Sequence, residues 1–394
     1  MLTFTSKLFM PHEEVFNAAE AAHDIEKNPD RHEGGPISRR KRPATGTNLI
    51  CGVVYMHMSD ALLSPAVSLA MYAVSVGAVA YSTSKMKKDE LSDKRLPLMA
   101  ITGAFVFAAQ MINFTIPATG SSGHIGGGIL LAAMLGEAPA LLAISTVLVI
   151  QCLFFADGGL LALGSNIFNM GVIPCLVVYP LLFKPLMKKG ATPSRLMTAS
   201  IISVIVALQM GAFAVVMETL ISGITALPFS TFVLLMQPIH LAIGAVEGIV
   251  TGAVLSFVWG VRPEILECAQ QRCAIPSGLS IKKVLAAIAV LTFVTGAILS
   301  GFASSYPDGL EWSVAKIIGA EELEANGAAF DRAAEIQEKT AFMPDYEYKG
   351  ENNSPAISGT AAAGIAGSAI TIVAAAIIAV VISKIKRRRN SAKV

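Results

Sequence analysis

Long apolar runs alternate with short polar connections along this chain, the pattern of a polytopic membrane protein built from helices. Crossing the hydrocarbon core takes about 20 predominantly apolar residues. Candidate runs lie at roughly 61–81, 97–113, 124–135, 139–156, 166–183, 197–220, 232–259, 282–302 and 362–383. The third, "HIGGGILLAAMLG", is short and glycine-rich, which predicts a broken or partly inserted helix. Such helices occur where protein encloses the backbone around a cavity, so this run is a candidate for a site.

Basic residues in short connections mark the cytoplasmic side of a membrane protein. The connection after the first run holds Lys85, Lys87, Lys88, Lys94 and Arg95, and that after the fifth holds Lys184, Lys188, Lys189 and Arg195. The chain ends Lys384-Ile385-Lys386-Arg387-Arg388-Arg389. Nine crossings place all three clusters on one side, together with Arg262 and Arg272, and leave the carboxy terminus in the cytoplasm. The external side then holds His57, the loop from Asn113 to His124, Asp157-Gly158-Gly159 and the 302–361 segment. His57 and His124 are thus expected at one face.

Residues 1–55 break this pattern. They include Arg39-Arg40-Lys41-Arg42, and their apolar stretch "LICGVVY" is too short for a span or signal peptide. Either the first crossing is inverted against every other loop, or the segment is disordered, processed or never translated. The last alternative is the expectation, and it makes Met56 the first residue.

Composition agrees with a lipid environment: 54% of residues are hydrophobic and 15% charged, against about 25% charged in soluble domains. The 33 glycines suit helices packed through small residues. Of the five cysteines, Cys152 and Cys175 fall in apolar runs and Cys268 and Cys273 in a cytoplasmic connection, which argues against a disulfide framework. The C-x4-C spacing of the latter pair is a poor match to a zinc site. No G-x-x-x-x-G-K-[ST] loop occurs, so any use of ATP must come from another chain.

A free amine on Met56, the His57 amide nitrogen and the His57 imidazole form fused chelate rings around a metal ion. A second imidazole makes four nitrogens, a donor set that suits Ni(II) or Cu(II) and with imidazoles can hold Co(II). His124 lies on the correct face to supply it. The bland reading makes His57 an interfacial residue and His124 a helix-start histidine, and spacing alone leaves both open. His240 and Glu247 lie seven apart on one helical face, with Glu247 inside an apolar run, where an ionisable group is costly and functional by default. A metal role and a hydrogen-bonded packing pair both fit them. Asp60 either caps the first helix or holds a ligating imidazole, capping being the simpler reading.

"MHMSDALLSPAVSL" resembles the amino-terminal signature of the CbiM/NikM family, the substrate-capture components of energy-coupling-factor transporters for cobalt and nickel. "SSGHIGGGILLAAMLGE", "QCLFFADGGLLALGSNIFNMGV" and "HLAIGAVEGIVTGAVL" resemble three further blocks of that family in the same order. "YPDGLEWSVAKI" and "FMPDYEYKG" resemble the PDGLE-type, NikN-like domain. The resemblance implies an all-α bundle of about seven helices over 56–265 and a fused two-helix domain with an external loop over 280–390. It implies metal ligands Met56, His57 and His124, with Asp60 in the family's acidic position. A transmembrane coupling subunit and two ATPase subunits are the implied partners, with the small-residue faces Ala132–Ala133 and Gly244–Gly248–Gly252 available either for helix contact with them or for internal packing. Ni2+ or Co2+ is then cargo, not cofactor, captured outside the inner membrane by a chain that is no enzyme and binds no nucleic acid. Nickel is modestly favoured, cobalt uptake for cobalamin synthesis being the alternative. A stand-alone secondary transporter or channel and a membrane metalloenzyme are the rival classes; no H-E-x-x-H motif or paired glutamates support the latter.

Overall fold

The first helix buries its polar face and exposes its apolar one. In α1 (Pro65–Lys85), Ser64 accepts the Val67 N–H and Pro65 fills the first turn. The buried residues of α1 are Ser68, Ser75 and Ser82, one stripe at seven-residue spacing, while Leu69 and Val76 are 73% and 61% exposed. Small polar residues face protein and large apolar ones face lipid. Ser75 Oγ donates to the Gly164 carbonyl at 2.6 Å, and the Tyr72 hydroxyl to that of Leu160 at 2.5 Å.

The computed structural model describes residues 57–86, 94–319, 323, 325–349 and 358–391. Met56 and the whole 1–55 segment lie outside these residues, and with them the expectations about the true start and the amine ligand. After α1 come α2 (Arg95–Gln110), a hairpin of β1 (Phe114–Ile116) and β2 (Ser121–Gly123), α3 (Gly128–Leu135), α4 (Glu137–Phe154) and α5 (Leu163–Leu186). Then follow α6 (Pro193–Ser222), α7 (Phe229–Val261), α8 (Pro263–Gln271), α9 (Lys282–Ala297), α10 (Gly309–Ile318), α11 (Ala328–Thr340) and α12 (Gly359–Ser391). The hairpin is antiparallel with Phe114 opposite Gly123.

Among the described residues, seven helices are long and apolar enough to cross a membrane: α1, α4, α5, α6, α7, α9 with its continuation to Phe302, and α12. The protein is an all-α, multi-pass membrane protein. The two remaining expected crossings are shorter. α2 is apolar over 16 residues, about 24 Å of helix, and α3 has 8 residues, about 12 Å. The first part of the third run, through Gly126 and Gly127, is not helical, and Gly127 adopts the left-handed φ of +78° ahead of α3.

The α6–α7 pair runs antiparallel. Cβ atoms added at Gly244, Gly248 and Gly252 would meet Ile205, Ile201 and Met197 in turn. The glycine stripe, and Ala132 and Ala133 within α3, are therefore consumed by packing inside this chain and are not free faces for a coupling subunit. In α5, Phe168–Phe183 winds as a π-helix with Pro174 and Pro180 inside it. α12 packs on α9 at Gly364 and Gly296, and on α2 where Gly367 meets Phe107.

At Gly248 a Cβ would stand 2.6 Å from the Ile201 Cα, a backbone atom that cannot step aside. Gly248→Val should cost about 1–3 kcal/mol through overpacking. A lowered midpoint in detergent thermal denaturation checks this, with Gly260→Ala, where a Cβ meets nothing within 4 Å, as the unaffected comparison.

Candidate metal centre

Two ends of one short helix organise the centre of the molecule. α3 is buried along its whole length, so the unpaired N–H groups at its start and carbonyls at its end need partners from protein. At its start, Glu247 of α7 accepts the Gly126 N–H at 2.9 Å and the Gly127 N–H at 2.8 Å. At its end, the buried Arg95 of α2 donates to the Leu135 carbonyl at 3.1 Å and to that of Cys273 at 2.9 Å. Each charge has the sign that complements the helix dipole. Beyond Gly136, Glu137 pairs with Lys184 at 2.9 Å and with Arg272. Residues from the basic connections of the sequence therefore meet on one side, and the glycine loop carrying His124 stands on the other.

The loop holds His124 over a cavity of about 120 Å³, lined also by His57, Asn166, His240, Glu247 and Asp308. The His57 and His124 rings are neighbours, with centroids 5.4 Å apart and planes tilted by 50°. His57 Nδ1 donates to Asp157 Oδ2 at 2.8 Å, and its Nε2 is buried without a hydrogen-bond partner. With Nδ1 donating, a neutral His57 ring presents its lone pair at Nε2. The next residue is clamped on both edges, since Met58 N–H donates to Asn166 Oδ1 and Asn166 Nδ2 donates back to the Met58 carbonyl, each at 3.2 Å. Burial pushes the His124 pKa down, and neighbouring His57 pushes it further, against smaller contributions from Asp308 and Asp157. His124 thus stays neutral, the form that can ligate a metal.

The structure brings His57, His124, His240 and Glu247 to one cavity and gives each a distinct task. Glu247 does not pair with His240. It ties the His124 loop to α7, which the sequence could not show because its partners are backbone N–H groups. His240 Nδ1 donates to the Met236 carbonyl at 2.8 Å, and its ring stands against Gly309. Asp60 neither caps α1 nor holds an imidazole. Ser64 takes the first task and Asp157 the second, while Asp60 Oδ1 accepts the Ala162 N–H at 2.9 Å. Among the described residues, no three His, Cys, Asp or Glu side chains stand close enough to hold an ion together.

Sequence reading missed the parts supplied from the carboxy-terminal third. "PDGLE" is a capping box: Asp308 Oδ1 accepts the N–H groups of Leu310 and Glu311, both at 2.8 Å, and Glu311 reaches back to the Asp308 N–H. Gly309 fits against Ile239 and His240, where a side chain would collide, so the motif roofs the cavity. The roof is stitched to the hairpin by Ser122 N–H to the Pro307 carbonyl at 2.8 Å and by Trp312 Nε1 to the Thr119 carbonyl at 3.0 Å. A vestibule of about 400 Å³ also reaches His57, with Asp60, Glu311, Asp331 and Glu338 among its walls.

Residues 57–265 match the family described as "Cobalt uptake substrate-specific transmembrane region", and residues 282–384 match the PDGLE domain. The chain belongs to this CbiM/NikM family and carries a NikN-like PDGLE domain at its carboxy-terminal end. It is a transport component of the cobalt and nickel type. "Putative fused nickel transport protein NikMN" of Archaeoglobus fulgidus is 30% identical over 80% of this chain and 96% of its own length. "Fused nickel transport protein NikMN" of Rhodobacter capsulatus is 32% identical over 54% of this chain and 64% of its own length. A crystal structure described as a truncated transition metal transporter is 30% identical over 52% of this chain and 99% of its own, with a TM-score of 0.47.

Two outcomes follow from this geometry. Glu247→Ala strands two buried N–H groups, at about 1–3 kcal/mol each, and should lower the thermal midpoint accordingly. His124 binds its proton less readily folded than unfolded, so its contribution to stability is whole above pH 6.5 and is lost as pH falls below that ordinary value. A His124→Gln variant should show a shallower fall of midpoint between pH 6.5 and 5 than the parent.

Proposed function

We propose that this protein is the substrate-capture component of an energy-coupling-factor importer, taking Ni2+ or Co2+ from outside the inner membrane. The observation that carries the reading is the pair of imidazoles, His57 and His124, 5.4 Å apart at one buried cavity, with Asp157 holding the His57 ring. Among the described residues these two imidazoles form no larger cluster of ligating side chains, and the main chain at the start of the sequence signature supplies the remaining donors in this reading. The Met56 amine and the His57 amide nitrogen supply it when Met56 is the first residue. Four nitrogens then surround the ion, as Ni(II) and Co(II) accept. The printed names of the fused relatives favour nickel.

A fused ring with the residue's own amide closes through Nδ1, the nitrogen that here bonds Asp157. Loading therefore turns the imidazole about Cβ–Cγ and moves its proton from Nδ1 to Nε2, so that the Nδ1 lone pair meets the ion and Asp157 accepts the Nε2–H. The basic connections lie in the cytoplasm and the vestibule opens outward, so the ion enters past carboxylates that favour cations. ATP hydrolysis belongs to two partner subunits, joined through a transmembrane coupling subunit. Metal leaves when His124 separates from the Met56–His57 arm or the donors take up protons.

The test is equilibrium binding of 63Ni2+ and 57Co2+ to purified protein, with mass spectrometry of the mature amino terminus. Binding should vanish in His57→Ala and in His124→Ala, and the amino terminus should read Met56. Undiminished binding by the double variant overturns the site. Uptake in cells lacking the ATPase subunits should fall to background, and persistent uptake would identify a stand-alone transporter.

A further inference from the structure

The residue that touches His57's supporting carboxylate comes from the opposite end of the chain. Asp157 Oδ2 accepts two donors: His57 Nδ1 at 2.8 Å and the Tyr346 hydroxyl at 2.5 Å. Tyr346 lies in "FMPDYEYKG", 189 residues from Asp157, and is 4% exposed. Its ring stacks on Phe155 with centroids 5.1 Å apart. The segment is bound to the end of α4 by Phe342 N–H to the Phe154 carbonyl at 3.1 Å and Asp345 N–H to the Phe155 carbonyl at 2.7 Å.

The backbone is bent to make this contact. Asp345 and Tyr346 both occupy the left-handed region, at φ 54° and 61°, which disfavours ordinary L-residues by about 1–2 kcal/mol each. A strained pair that aims a phenol at a buried carboxylate is more than a plug of apolar surface needs, since stacking on Phe155 requires no hydroxyl.

We propose that Tyr346 is a positioning residue of the capture site, acting through Asp157 to fix which edge of the His57 imidazole carries the proton and which carries the lone pair. The inference rests on His57 being a metal ligand. A histidine that binds metal ordinarily donates its other N–H to a carboxylate, and that carboxylate is in turn held by hydrogen bonds. Here the holding group belongs to the PDGLE domain, so this domain does not merely cover the site: it sets the donor that the ion meets. Asp157 can serve either edge of the ring, and Tyr346 keeps it in place as the ring turns.

The experiment compares the full chain with Tyr346→Phe, Tyr348→Phe, Asp157→Asn and His57→Ala in detergent. Tyr346→Phe keeps the stacking ring and removes only the hydroxyl; Tyr348, 43% exposed, is the control. Nickel affinity, the energies of the nickel d–d absorption bands, 15N shifts of the histidines without metal, and the thermal midpoint are measured together. Support is a nickel affinity lowered about 10-fold or more in Tyr346→Phe and Asp157→Asn, with shifted bands, an altered tautomer signal for His57 and a midpoint near the parent's. Parental affinity and bands in Tyr346→Phe, with binding abolished in His57→Ala, overturn the inference and leave the capture reading standing. Binding retained in His57→Ala removes the capture reading itself. A weakened affinity with unchanged bands and tautomer but a fallen midpoint also overturns it, because that is general loosening. Should Tyr346→Phe fail to fold, Asp157→Asn carries the same comparison.

Discussion

An eight-residue helix with no exposed side chain cannot rest in the middle of a membrane protein unless both of its ends are answered. In α3 they are answered by opposite charges from two other helices, Glu247 at the amino end and Arg95 at the carboxyl end. The arrangement does more than satisfy hydrogen bonds. Gly126 and Gly127, which Glu247 holds, stand immediately after His124-Ile125, so the same carboxylate sets how far His124 projects into the cavity. Arg95 ties the other end to Cys273. Site geometry and helix packing are in this respect one problem with one solution.

Around that axis polar and apolar side chains share the interior. Serines, asparagines, histidines and carboxylates lie inside among buried apolar side chains, and further large apolar residues face outward, as Leu69, Leu181 and Leu234 do. In lipid the outward residues cost nothing, and inward polar groups are held only by pairing with one another. The His57–Asp157–Tyr346 chain and the Asn166 clamp on Met58 belong to this internal economy of donors and acceptors.

Much of this was legible in the sequence, and what was not has a common cause. Hydropathy placed a helix in each of the nine runs, and the glycines of "HIGGGILLAAMLG" marked the one that is only partly helical. Charge alone put His57 and His124 on one face. Hidden were relations between a side chain and an anonymous N–H or carbonyl, as at Glu247, Arg95, Asp60 and Asn166, because backbone groups leave no trace in composition or period. Hidden too were partners far along the chain, such as Asp157 with Tyr346, and the roof that Asp308 and Gly309 make over His240. The glycine stripe of α7 was visible, but which helix it receives was not: it receives α6 within the same chain.

The stitching of Ser122 and Thr119 to Pro307 and Trp312 joins the hairpin to the roof through a handful of hydrogen bonds. Between separate polypeptides, so few bonds would hold only at high subunit concentration. On one chain, the connection through α7, α8 and α9 keeps the two surfaces at an effective concentration that dilution cannot lower. Weak bonds therefore suffice here, where a two-subunit version would need stronger ones.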